Sequence, residues 1–175
     1  EAHIAGLPVR IFRISFTGEL SYEINIRARH GLALWTHLMK AGAEFGITPY
    51  GTEAMHVLRA EKGFIIVGQE TDGSVTPQDL GMDWIVSKVK PDYIGKRALE
   101  RASMAADNRK QLVGLRTKER KQVIPEGAHA VLEPNQPMPM DMLGQVTSSY
   151  YSPNVGSSIA MAMLKGGRAL MGGTV

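Results

Sequence analysis

The sequence predicts an α+β protein with an antiparallel strand–strand–helix unit in its first half and short strands in its second half. Two observations predict this class. Apolar residues alternate with polar ones up to residue 27 and then recur at helical spacing from residue 31. After residue 109, β-prone segments are separated by turns rich in Pro, Gly and Asn, which is typical of a small barrel or sandwich.

The first unit is predicted from residues 9–46. Residues 9–16 form a β-prone run, residues 17–19 supply a turn, and residues 22–27 alternate apolar with polar side chains, so we expect a hairpin. A helix should follow from Gly31, ending at Gly46, because four apolar residues fall at helical spacing: Leu34, Leu38, Ala41 and Phe45. An antiparallel pair followed by a helix favours α+β over a doubly wound parallel sheet.

The middle of the chain is predicted to alternate short helices with turns. Thr52 should cap a helix that runs to Arg59 or Glu61. Residues 64–67 read as a short buried strand or extended segment, followed by a polar turn at residues 70–73. Thr76 and Pro77 resemble a helix start. A last helix is expected from residue 95 or 96 to residue 106, with Leu99 and Ala102 on its inner side.

Four β-prone segments follow, near residues 111–116, 129–133, 143–150 and 157–164. The change of pattern places a domain boundary near residue 109. We therefore predict two domains, residues 1–109 and residues 110–175.

Composition excludes several classes of function. No apolar stretch approaches the roughly 18 residues of a membrane span. The absence of cysteine excludes disulfides, thiol nucleophiles and thiolate metal sites, and it is compatible with the cytoplasmic location that we predict. The net charge of +3 is spread along the chain, and the densest basic segment, residues 116–121, has no interleaved aromatic residues, so we expect no nucleic-acid partner.

The chain starts at Glu1 with neither an initiator Met nor a signal peptide, and we expect it to be a fragment. The five histidines are scattered without metal-ligand spacing, so no metal site is predicted.

Several sequence blocks resemble those of a known family. They read RISFTGELSYEI at residues 13–24, LRAEKGF at 58–64, DYIGKRAL at 92–99, and GQVTSSYYSP at 144–153 with SIAMA at 158–162. In this order they resemble the aminomethyltransferase (glycine-cleavage T-protein) family over nearly the whole chain. GQETDGSVTP at 68–77 and LKGGRA at 164–169 resemble its flavoprotein branch, in particular the α subunits of heterotetrameric sarcosine oxidases.

The resemblance implies a fold and an activity. The fold would be a ferredoxin-like part of the folate-binding aminomethyltransferase domain followed by a C-terminal β-barrel. In the intact oxidoreductase, sarcosine is oxidised at a flavin, and tetrahydrofolate captures the resulting iminium to give 5,10-methylenetetrahydrofolate. Tetrahydrofolate is the cofactor implied for this region; FAD, FMN and NAD are implied only for the intact complex. The implied partners are reduced folate, the other subunits and the N-terminal part of the chain.

Two residues are the candidate cofactor ligands. Glu23 matches the family carboxylate that hydrogen-bonds the amino-pyrimidine edge of the pterin, whereas the strand pattern alone makes it a solvent-facing residue. Phe16 matches a position that is often Tyr; its ring could stack on the folate, or it could be a core residue. The family's catalytic Asp lies upstream, so no catalytic residue is assigned and the fragment alone is expected to be inactive.

Other positions qualify the resemblance. Met55 stands where T-proteins carry a folate-contacting Arg. Arg59 and Glu61 suit a structural ion pair or a cap, and Glu19 suits a turn. Three alternatives stay open: a standalone aminomethyltransferase, a folate-binding protein linked to RNA modification and iron–sulfur assembly, which the missing Cys opposes, and a non-catalytic folate-binding or interaction module.

Overall fold

The three short strands of the first unit form one antiparallel sheet. The computed structural model describes residues 2–175, which divide into a first unit up to Phe64 and a second from Ile65 to Val175. In the first unit the sheet order is β1-β2-β3, with β1 at Ala2–Ile4, β2 at Leu7–Phe12 and β3 at Glu23–Asn25. Phe12 lies opposite Glu23 in the register.

The predicted hairpin is present with shorter strands than expected. Residues 13–22, which include the expected turn at residues 17–19, form one long loop between β2 and β3. Within this loop, Gly18 has a positive φ of 83°, a conformation that favours glycine.

Two helices follow the sheet. Helix α1 spans Gly31–Gly42 and continues as a 3₁₀ turn at Ala43–Phe45. Gly46 ends it in the left-handed conformation, as predicted. Helix α2 spans Thr52–Glu61, but the expected Thr52 cap is wrong: Gly51 is the cap residue, and no side chain bonds the helix start.

The second unit begins with irregular chain where the sequence predicted regular elements. Residues 64–67 are not a buried strand: the Ile66 N–H donates to the carboxylate of Glu70 at 2.7 Å, and Val67 is 84% exposed. Residues 77–81 form a turn rather than a helix. The last predicted helix is reduced to α3 at Lys96–Leu99, because Ala102 is exposed and gives a longer helix no face to bury.

The C-terminal strands confirm the predicted β-rich end. They are β4 at Lys110–Arg116, β5 at His129–Ala130, β6 at Gly144–Ser152 and β7 at Ser157–Lys165. They form one antiparallel sheet in the order β4-β7-β6-β5. The core of this sheet is small and apolar, and its fully buried members are Val146, Ala160, Ala162 and Leu164.

The α+β class, with antiparallel sheets and a curled, barrel-like C-terminal sheet, is therefore as predicted. The division at residue 109 stays a prediction. Among residues 2–175, no helix combines the length and apolar character that crossing a bilayer requires.

Candidate functional site

A pocket of about 390 Å³ lies in the first unit along the loop between β2 and β3. Pockets that bind small molecules have volumes of about 300 Å³ or more, so this pocket is large enough for one. Residues of the loop, the start of β3 and the N-terminal part of α2 line it: Ile14, Ser15, Phe16, Thr17, Ser21, Tyr22, Glu23, Tyr50 and Met55. Both predicted ligands, Glu23 and Phe16, are thus brought to one pocket.

Glu23 is the first residue of β3, and its side chain is exposed while that of Ile24 is partly buried. Successive residues of a strand point to opposite faces, so Ile24 turns toward the sheet's packed side. The Glu23 carboxylate accepts one hydrogen bond at Oε1, from Asn25 Nδ2 at 2.7 Å. No other group in residues 2–175 donates to it, so most of its acceptor capacity is available to a ligand.

Phe16 lies on the loop with its side chain 40% exposed. Its ring packs against His56 of α2, with ring centroids 6.1 Å apart and an interplanar angle of 38°. One side of the ring is therefore held by the helix while the residue still lines the pocket. An aromatic ring held in this way can pack against a flat ligand.

Three further lining residues were not singled out as ligands by the sequence. The Ser15 hydroxyl oxygen is buried and, within residues 2–175, has no hydrogen-bond partner. Tyr22, just before β3, and Tyr50, just before α2, are exposed aromatic residues. Ser15 lies next to Phe16 in the sequence, and Tyr50 lies just before α2. Only the fold of the loop indicates that these residues share a pocket.

Met55 also lines the pocket. Its thioether is only a weak hydrogen-bond acceptor, so this position supplies an apolar wall and no charged donor.

The predicted turn residue Glu19 lies outside this pocket. Its carboxylate forms an ion pair with Lys62 at 2.9 Å, and both side chains are about half or more exposed. A Cβ at Gly18 would lie 2.7 Å from Cγ of Lys62, so the loop passes close to the end of α2. The Glu19–Lys62 pair therefore belongs to the support of the loop.

Arg59, at the end of α2, is fully buried. Its Nη1 donates to the backbone oxygen of Phe64 at 3.1 Å, and the Phe64 N–H donates back to the oxygen of Arg59 at 2.9 Å. These bonds fix the chain where it leaves the helix, which is a structural role of the kind expected from the sequence.

The second unit holds an ion pair between Asp79, which is buried, and Arg109, which is partly buried. Arg109 Nη2 lies 2.5 Å from Asp79 Oδ2, and Thr76 donates to the same oxygen through its N–H at 2.8 Å and its hydroxyl at 2.9 Å. Burial raises the pKa of Asp79, but the hydrogen bonds from Arg109 and Thr76 outweigh it, and the pKa of Asp79 is lowered overall. The hydrogen bond to Asp79 raises the pKa of Arg109.

This ion pair braces the chain around β4. The backbone oxygen of Asp79 accepts from the Leu112 N–H at 2.8 Å, and Arg109 also donates to the backbone oxygens of Ser103 and Ser74. Because its donors and acceptors are used within the fold, we assign the pair to structure. Residues 2–175 contain no group of three or more His, Cys, Asp or Glu side chains that could hold a metal ion.

Two family profiles match the chain. A profile described as the GCVT N-terminal domain covers residues 1–90, and one described as the glycine cleavage T-protein C-terminal barrel domain covers residues 110–175.

Individual relatives agree with the profiles. The chain is 52% identical to the sarcosine oxidase subunit alpha of Corynebacterium sp. (strain P-1), and the match covers 96% of this chain and 18% of the relative. It is 42% identical to the sarcosine oxidase subunit alpha of Rhizobium meliloti (strain 1021), over 90% of this chain and 16% of the relative. The chain thus spans less than a fifth of the length of these relatives.

A solved structure shares the fold. It is the glycine cleavage system aminomethyltransferase T from Bartonella henselae, with a TM-score of 0.73 and 26% sequence identity. The match covers 89% of this chain and 41% of that structure.

Proposed function

The chain belongs to the glycine cleavage T-protein family, and from this membership and the pocket geometry we propose that it forms one wall of a tetrahydrofolate site. The site would belong to a sarcosine oxidase α subunit. There, the iminium from oxidative demethylation of sarcosine is converted to 5,10-methylenetetrahydrofolate.

One observation carries the proposal: Glu23 and Phe16, seven residues apart in the sequence, line the same pocket. A pterin is flat and presents an N–H and an amino group along one edge. The Glu23 carboxylate can accept from both, while the ring of Phe16 can pack against the flat face. The unpartnered hydroxyl of Ser15 in the same lining adds a polar group suited to a ligand with a polar rim. These residues fit a reduced folate.

The chain's own contribution would be binding and orientation. Bound folate would supply the amine that takes up the one-carbon unit. Glu23 would hold the pterin ring by its amino-pyrimidine edge, and Asn25 would hold the carboxylate in place through its 2.7 Å hydrogen bond. Such positioning lowers the entropic cost of bringing two reactants together.

The surrounding enzyme is part of the same proposal. Two relatives are named as alpha subunits, and the chain covers less than a fifth of each. We therefore propose that further parts of the polypeptide complete the folate site, that other subunits complete the enzyme, and that FAD, FMN and NAD bind elsewhere in the complex. The cytoplasmic location stays a prediction.

Glu23→Gln in the full-length protein tests the folate site. The substitution keeps the side-chain volume but removes the charge and puts a donor where an acceptor is needed. Hydrogen bonds to a charged group contribute about 1.5–3 kcal/mol, so the Kd for 5-formyltetrahydrofolate should rise about 10- to 100-fold in a fluorescence titration.

Glu19→Gln is the matched control for this titration. It makes the same chemical change in the loop just before β3, but Glu19 is not among the lining residues of the pocket. Its Kd should stay within about twofold of wild type, because an exposed ion pair contributes little. If wild-type protein fails to bind the folate, or if Glu23→Gln binds it as tightly as wild type, the proposal is wrong.

A standalone aminomethyltransferase is the second candidate, and the fold match to the Bartonella henselae enzyme favours it. Met55 in the pocket opposes it, because the family's aminomethyltransferases are expected to carry an arginine there. Reduction of a bound flavin by sarcosine, measured by absorbance on the assembled complex with its other subunits, separates the two. The sarcosine oxidase proposal requires this reduction, and a standalone aminomethyltransferase would not show it.

A further inference from the structure

Resting on the proposed folate site, we infer that Ser15 is a further ligand-binding residue whose hydroxyl donates a hydrogen bond to the pterin ring carbonyl. Ser15 directly precedes Phe16 in the loop, and both line the pocket with Glu23. The state of the Ser15 hydroxyl is unusual for a polar group in a folded protein.

The hydroxyl oxygen of Ser15 is buried and has no hydrogen-bond partner within residues 2–175. Folded proteins almost always satisfy buried polar groups, because an unpaired one loses its hydrogen bonds to water without replacement. Thr17, two residues later, is also buried, so parts of this loop are packed although Ile14 and Phe16 are exposed. An unsatisfied buried hydroxyl in a pocket wall is therefore a group whose partner is expected to come from outside the chain.

A serine reaches such a partner by a small movement. Its hydroxyl turns about the single torsion χ1 between staggered positions, and no backbone shift is needed. Because the residue lines the pocket, we propose that such a rotation presents the hydroxyl to a bound molecule. Ligand binding would then remove the cost of the unpaired group.

The chemistry of the neighbouring Glu23 indicates which ligand atom is involved. An ionised carboxylate only accepts hydrogen bonds, so Glu23 can satisfy the N–H and amino donors of a pterin but not the ring carbonyl beside them. A hydroxyl can donate. Ser15 and Glu23 together provide one donor and two acceptors, which is the complement of the carbonyl, N–H and amino sequence along the pterin edge.

Ser15→Ala tests this role against a matched control. Ser149 also has a buried hydroxyl without a partner within residues 2–175, but it lies in β6 and is not a lining residue of the pocket. Both alanine variants therefore make the same change to the same kind of group. The full-length proteins would be titrated with 5-formyltetrahydrofolate, and their melting temperatures would be measured without ligand.

The expected result is a split between affinity and stability. Ser15→Ala should weaken binding about 5- to 20-fold, the loss expected for one hydrogen bond, while its ligand-free melting temperature stays the same or rises. Ser149→Ala should leave the affinity within about twofold of wild type.

Two results overturn the inference. Unchanged affinity in Ser15→Ala shows that the hydroxyl does not contact the ligand. A lowered ligand-free melting temperature shows that it has a structural partner. In either case a weakened Glu23→Gln variant leaves the proposed folate site standing, whereas a wild-type protein that binds no folate removes both.

Discussion

Replacing Asp79 by Asn should destabilise the second unit strongly, because it removes a buried charge from an ion pair whose partner remains. Asp79 is 4% exposed and Arg109 is 17% exposed at the side chain. The two carboxylate oxygens accept from Arg109 and from both donors of Thr76. An Asn side chain keeps the shape but places an amide N–H₂ against these donors.

The size of the effect follows from burial. Breaking a buried pair by removing one partner costs about 3–5 kcal/mol. Arg109 keeps its bonds to the backbone oxygens of Ser103 and Ser74, which partly compensates its charge, so we expect about 3 kcal/mol, the lower end of that range. Urea unfolding of wild type and Asp79→Asn at neutral pH measures the difference in the free energy of unfolding.

A matched exposed pair provides the control. Glu19→Gln removes the charge from the 2.9 Å pair with Lys62, whose side chains are 65% and 47% exposed, and it should cost less than about 1 kcal/mol. A loss of less than about 1 kcal/mol in Asp79→Asn would refute the assignment of the buried pair to structure.

The same pair gives a dependence on pH. The pKa of Asp79 is lower in the folded protein than its ordinary value of 3.8, so its contribution to stability is complete above pH 3.8 and is lost as the pH falls toward the folded pKa. The difference in unfolding free energy between wild type and Asp79→Asn should therefore shrink as the pH falls below 3.8. A constant difference across that range would contradict the lowered pKa.

Two further pairs of substitutions test the pocket and the sheet. Phe16→Leu in the full-length protein should raise the Kd for 5-formyltetrahydrofolate about 3- to 10-fold, because ring packing adds about 0.5–1.5 kcal/mol beyond the buried area. Phe16→Tyr keeps the ring, so its Kd should stay near that of wild type. Equal Kd values for the Leu and Tyr variants would exclude stacking. Gly144→Ala should lower the free energy of unfolding in urea by about 3 kcal/mol or more, because its Cβ would lie 1.9 Å from the backbone oxygen of Met163. In Gly114→Ala the new Cβ meets no atom within 4 Å, so this variant should be nearly neutral. Equal effects of the two substitutions would contradict the close packing of β6 on β7.

The long strands of the C-terminal sheet were predictable from sequence because local and tertiary preferences agree there. β6 and β7 are apolar, β-prone and joined by a turn, and their observed bounds lie within two residues of the predicted ones. The helix predicted to reach residue 106 failed because propensity does not maintain a helix without a buried face. Of the two alternatives predicted for residues 64–67, the buried strand is wrong, because the carboxylate of Glu70 takes the N–H of Ile66.

The candidate site was predictable only in part. Periodicity gave Glu23 a solvent-facing strand position, and it was the family resemblance that proposed a ligand there. The pattern could not show that Ser15 and Tyr50 share a pocket with Glu23, because Tyr50 lies far along the chain, before α2, and meets the loop only through the fold of the first unit. Pairwise proximity of this kind is a tertiary property.

The loop between β2 and β3 is where the sequence pattern and the structure differ most, and it is also where the pocket lies. Residues 13–16 have β-prone composition, yet Ile14 and Phe16 are exposed and the strand stops at Phe12. Extending the strand would pair these residues in the sheet and remove the free loop that carries Phe16 beside Glu23. Instead, the left-handed Gly18 lies close to Lys62 at the end of α2, and Glu19 forms an exposed ion pair with that lysine. Residues 13–16 thus do not follow their local preference for a strand. Such a departure is expected of a binding site rather than of a segment that only packs.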